Sequence, residues 1–174
     1  MTRLTLLVLA WGVAGCAAHP PAPASVAQSA AAPADSTTDS AAVTLERTPC
    51  FGSCPVYLVT ASSSGAVRFE GKSHVSHAGP AVGQIAKARL DSLLAEVQAA
   101  GYFGFEEQYV PDSPACRSDN RIASDAPTAI TSVTLHGHTK RIEHYHGCPG
   151  APQALSRLEE RIDEVLNTAQ WIGH

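Results

Sequence analysis

Apolar and polar residues alternate over several short stretches in the middle of the chain. Val43 and Leu45 share one side of residues 43–47, which predicts a strand. Residues 56–61 read as a second strand and residues 66–71 as a third, with Val67 and Phe69 on one face. Ser62-Ser63-Ser64-Gly65 is the turn between them, and residues 74–79 read as a loop. The period then changes. Val82, Ala86, Leu90, Leu93, Leu94 and Val97 recur at three and four, which predicts an amphipathic helix. Pro80 suits its first turn, where a missing N–H has no helical partner, and Gly101 closes it after Ala100. Residues 130–136 and 140–146 predict a hairpin around Gly137-His138. Leu155, Leu158, Ile162, Val165, Leu166 and Ala169 mark a second helix, and Trp171 and Ile172 add apolar weight that seals the core. The predicted fold is α+β in two layers. An antiparallel sheet runs in the order β-β-β-α-β-β-α, with both helices on one face, because each helix has a single apolar stripe for a sheet to cover.

Ahead of residue 43 there is no sustained period. Residues 17–42 are dominated by Ala, Pro, Ser and Thr, without an aromatic residue, and read as a disordered tether. Residues 4–11 are an apolar run behind Arg3, too short to span a bilayer and placed as a signal peptide is. Val13-Ala14-Gly15-Cys16 resembles the lipobox of bacterial lipoproteins. That resemblance implies cleavage before Cys16, a diacylglyceryl thioether on its sulfur and acylation of the new amine. The boundaries that follow are a signal peptide over 1–15, a lipid-anchored tether over 16–42 and one globular domain over 43–174. Ala17 and Ala18 lack the aspartate that in the resembled class retains a protein at the inner membrane. The implied partner is therefore the outer membrane, with the domain facing the periplasm.

A chain of 174 residues with 44% hydrophobic residues supports one modest core and not two. Its 12 Lys and Arg face 16 Asp and Glu and form no basic cluster, which argues against a nucleic-acid partner.

Setting Cys16 aside, Cys50, Cys54, Cys116 and Cys148 are an even number in an exported chain, and read as two disulfides. Four cysteines allow three pairings. Cys50 with Cys54 and Cys116 with Cys148 is preferred, while Cys50 with Cys148 and Cys54 with Cys116 stays open. Three residues separate Cys50 from Cys54, one more than thiol–disulfide enzymes use, so a structural role is expected.

His144, His146 and Cys148 would share one face of a strand, and imidazole with thiolate suits zinc or copper. His74 and His77 could add ligands from a loop. A disulfided Cys148 could not ligate, and the two histidines could equally be core-edge residues beside Ile142. Ser132 or Ser156 with His144 and Asp163 lacks a nucleophile elbow. Glu106 and Glu107 read as solvated surface, and no motif calls for a cofactor. Residues 106–128 form a long polar connection, where displayed binding groups concentrate. Asp119, Asn120 and Arg121 are its candidate contacts to another envelope component. The expected function is a non-catalytic interaction domain, with a metal-binding module and a hydrolase as alternatives.

Arg47-Thr48-Pro49-Cys50-Phe51-Gly52-Ser53-Cys54-Pro55-Val56-Tyr57, Thr131-Ser132-Val133 and His144-Tyr145-His146-Gly147-Cys148-Pro149 together resemble an uncharacterised bacterial domain family, domain of unknown function 6438. The resemblance covers residues 43–172. It implies an exported or lipid-anchored α+β domain and brings no chemistry to particular residues.

Overall fold

The computed structural model describes residues 41–117 and 122–173. Seven strands form one sheet in the order β4-β3-β2-β1-β6-β7-β5. They are β1 (Ala41–Arg47), β2 (Val56–Ser62), β3 (Ala66–Ser73), β4 (Gly79–Gln84), β5 (Gln108–Tyr109), β6 (Thr128–Leu135) and β7 (His138–Tyr145). Helices α1 (Lys87–Ala99), α2 (Gln153–Leu166) and α3 (Ala169–Ile172) complete the described elements, with a short 3-10 turn at Tyr102–Gly104. The two-layer α+β architecture agrees with the alternation in the sequence. The element order differs, because β4, β5 and α3 were not expected. The sheet is also mixed, since β5 runs parallel to β7 while every other neighbouring pair is antiparallel.

The segment expected to start the first helix is instead strand β4, and α1 begins at Lys87 rather than Pro80. Val82 is 79% exposed on the outer face of this edge strand, so it never joined a helical stripe. Gly79, Ala81 and Gly83 alternate with Pro80, Val82 and Gln84 and turn inward. Small inward residues are required here. A Cβ on Gly83 would come within 3.0 Å of the Trp171 ring. Proline is tolerated because the strand lies at the sheet edge.

Val43, Leu45, Val59, Ala61, Val67, Phe69, Ala129, Val133 and Ile142 face the helices and are buried. From the other layer, α1 contributes Leu90, Leu93 and Val97. Helix α2 contributes Leu155, Leu158, Ile162, Val165 and Leu166. Gly101 has φ 74° and ends α1 as expected. The β6–β7 turn is His136-Gly137, one residue earlier than predicted, with φ values of 52° and 77°. Two consecutive positive φ angles are the mark of a two-residue hairpin turn whose twist matches the strands. Trp171 stacks on Phe69, which stacks on Tyr57, at centroid distances of 4.9 and 5.3 Å. The C-terminal aromatic residue therefore seals the core.

Both disulfides of the preferred pairing are present, Cys50–Cys54 and Cys116–Cys148. The first closes the bend between β1 and β2. The second ties the long connection to the chain just beyond β7, where Ala123 N–H also donates to the Gly147 carbonyl at 3.1 Å. Among the described residues no helix is long and apolar enough to cross a membrane.

Candidate metal centre

One row of the sheet breaks the apolar pattern of the helix-covered face. Tyr57 on β2 pairs with Arg47 on β1, Arg47 with Ala129 on β6, and Ala129 with His144 on β7. Tyr109 on β5 continues the row beside His144. The period of two explains why these residues point at the helices. Arg47 follows Leu45 by two, Tyr57 precedes Val59 by two, and His144 follows Ile142 by two. His146, two residues further on, keeps the same direction, and its ring lies 4.7 Å from that of His144.

Helix α2 lays Glu159 and Asp163 over this row, one turn apart. Glu159 stands four residues after Leu155 and three before Ile162, inside the apolar stripe, and its side chain is 0% exposed. The apolar side chains buried by α2 contribute about 1.5–3 kcal/mol each. Together they outweigh the several kcal/mol needed to bring one carboxylate in from water.

Glu159 Oε1 lies 2.8 Å from His144 Nδ1, and Oε2 lies 2.8 Å from His146 Nε2. Burial pushes the Glu159 carboxyl up, but the two imidazole hydrogen bonds and ring charges more than reverse it, and the net direction is down. An ionised carboxylate only accepts, so each ring donates the shared hydrogen. His146 Nε2 then has no lone pair left for Arg47 Nη1, 3.4 Å away.

Arg47 is held from its other side. Its Nε and Nη2 donate to Asp163 Oδ2 at 3.3 and 2.8 Å, while Tyr57 O–H donates to Oδ1 at 2.6 Å. Thr168 O–H adds a bond to Oδ1 at 3.0 Å. Burial alone would lower the Arg47 pKa, but the Asp163 charge and hydrogen bond raise it overall. Burial, then Asp163, raises that of Tyr57 well above the ordinary phenol value. Nη1 stays 4.0 Å from Glu159 Oε2. One guanidinium, Arg47, therefore stands between two carboxylates, Glu159 and Asp163.

The donor atoms of His144, His146 and Glu159 lie within 4.8 Å of one another. Two donors on a tetrahedral zinc at 2.0–2.1 Å stand roughly 3.4 Å apart, so the 2.8 Å pairs would open by about half an ångström. Both imidazoles would move their hydrogen to the other ring nitrogen. The set offers three protein donors and leaves a fourth position for another ligand.

Sequence reasoning brought forward His144 and His146 but missed Glu159. The available signal was an acid within an apolar helical stripe, and, for Arg47, a cation on the Leu45 face of β1. Cys148 is bonded to Cys116 and has no thiolate to offer. His74 and His77 are not part of the donor group, and His77 Nε2 instead meets the Pro80 carbonyl at 3.1 Å. Asp163 is bonded to Arg47, Tyr57 and Thr168, and neither Ser132 nor Ser156 joins His144. Glu106 and Glu107 are exposed. Cys16, Asp119, Asn120 and Arg121 lie outside the described residues.

None of the curated proteins compared with this chain matches it. A family model does match, over residues 41–166, from β1 to the last residue of α2 and therefore across every residue of the donor group. The chain belongs to the family described as Domain of unknown function (DUF6438).

Proposed function

We propose that the domain is a non-catalytic metal-binding module that holds a zinc ion with His144, His146 and Glu159. The observation that carries this reading is the fully buried Glu159 carboxylate between two imidazole nitrogens, each at 2.8 Å. The two carboxylates of the cluster, Glu159 and Asp163, set against the single guanidinium of Arg47, favour a cation. Nitrogen and carboxylate donors suit zinc, and copper(II) is the competing ion, since it binds most such sites more tightly. The test is metal analysis of protein purified without chelator, beside His146→Ala. The reading expects close to one zinc or copper per chain and loss of it in the variant. Metal-free wild type that takes up neither ion on titration overturns it.

The same reading takes the module to be exported to the bacterial envelope. The lipobox-like Val13-Ala14-Gly15-Cys16 supports an acyl anchor at Cys16, with residues 16–40, ahead of β1, as the tether. Cys16→Ala is expected to leave an unprocessed precursor. Normal processing of that variant removes the anchor from the account.

A second reading, docking to another envelope component, is favoured by Phe51. It is 88% exposed on the loop that the Cys50–Cys54 disulfide closes, and a rigid apolar tip lowers the ordering cost of association. Asp119, Asn120 and Arg121 are further candidate contacts. Crosslinking of wild type beside Phe51→Ser tests it, and identical crosslinked products from both set it aside.

A further inference from the structure

A cavity of about 220 Å³ opens beside the donor group. His146 belongs to both, and is 31% exposed where Glu159 is sealed. Arg47 and Tyr57 also line the cavity, while Pro55, Pro127 and Ile172 form apolar walls. Three protein donors leave a zinc ion one position short, and His146 is the donor that reaches the cavity. Arg47 Nη1 stands beside His146 at the same wall, with only a long ion-pair contact of 4.0 Å to Glu159 Oε2. Arg47 Nε and Nη2 each donate one hydrogen to Asp163 Oδ2, while His146 Nε2, 3.4 Å from Nη1, is engaged by Glu159.

We propose that this cavity binds a small organic carboxylate with an apolar body, one oxygen completing the zinc coordination and the other accepting from Arg47 Nη1. The inference rests on the zinc reading, because charge decides it. Without an ion the Glu159 carboxylate, bonded to His146 at 2.8 Å, opposes a second carboxylate there. A divalent ion reverses that sign. The size limits the ligand further. Cavities for drug-sized molecules run from about 300 Å³ upward, so the occupant is smaller than these. Apolar walls discriminate against bare inorganic anions, whose charge would be desolvated without compensation on most sides.

Calorimetric titration with benzoate, and with benzyl alcohol as the uncharged counterpart of similar shape, tests the proposal on the whole chain. Zinc uptake is measured first in the same samples. Benzoate is expected to bind zinc-loaded protein at least about tenfold more tightly than chelator-treated protein, and at least about tenfold more tightly than benzyl alcohol binds. Ile172→Trp fills the apolar side without touching the donor group, so it should keep zinc uptake and lose benzoate. Should Ile172→Trp fail to fold, the benzoate and benzyl alcohol comparison on wild type decides alone. Zinc uptake without benzoate binding overturns this inference and leaves the metal reading standing. Equal affinity for benzoate and benzyl alcohol, or equal benzoate affinity with and without zinc, also overturns it. Absence of zinc uptake overturns this inference, and uptake of neither zinc nor copper overturns the metal reading with it.

Discussion

Glu159 and His144 meet at 2.8 Å with neither side chain more than 4% exposed, although 15 residues and a change from strand to helix separate them. A carboxylate so enclosed is satisfied by its partners or not at all. Removing it leaves two imidazoles and a guanidinium facing a void.

Glu159→Ala is therefore expected to destabilise metal-free protein by about 3–5 kcal/mol, the range for breaking a buried charged network from one side. Urea unfolding at neutral pH measures it. A loss below about 1 kcal/mol would mean that the network holds the fold far less than its burial implies.

Much of this arrangement was legible along the chain, and the exceptions have physical causes. Alternation marked β1, β2, β3 and the β6–β7 hairpin because each has one apolar and one polar face. The cysteine pairing was the preferred of two because Cys50 and Cys54 flank one bend, and Cys148 ends the hairpin beside the long connection. Strand β4 was misread because its inward positions are Gly79, Ala81 and Gly83, which carry no apolar signal, while outward Val82 imitated the next helical stripe. Strand β5 is two residues long and leaves no period at all. Glu159 stayed hidden for a different reason. An acid in a helix reads as solvent-facing until its partners are known, and these come from β7 and the residue just after it, 15 and 13 residues earlier.

The two disulfides should contribute unequally. In the chain-entropy account, closing the span from Cys116 to Cys148 contributes about 3–4 kcal/mol, and the short Cys50 to Cys54 loop about 2 kcal/mol. Denaturant unfolding of Cys116→Ser/Cys148→Ser and Cys50→Ser/Cys54→Ser compares them. The reverse order would show that strain or residual unfolded-state structure outweighs loop length here.

Two tyrosines should resist alkaline titration. Tyr102 O–H bonds Thr131 Oγ1 at 2.7 Å, and burial raises its pKa despite that bond. Burial and then Asp163 do the same for Tyr57. A raised phenol pKa stabilises the fold fully below the unfolded value of about 10, and this stabilisation is lost as pH rises through the folded value. The phenolate absorbance step near pH 10 should thus be the same in Tyr102→Phe as in wild type. A smaller step in the variant would show that Tyr102 ionises in the folded protein at an ordinary pH.

The most direct measurement of the central claim is anomalous diffraction at the zinc edge from crystals of the domain grown with zinc. The account predicts a peak about 2.0–2.2 Å from His144 Nδ1, His146 Nε2 and a Glu159 oxygen, with the fourth position facing Arg47 and Tyr57. A peak confined to other histidines, such as His136 and His138 at the hairpin turn, with His144 and His146 still hydrogen-bonded to Glu159, would contradict it.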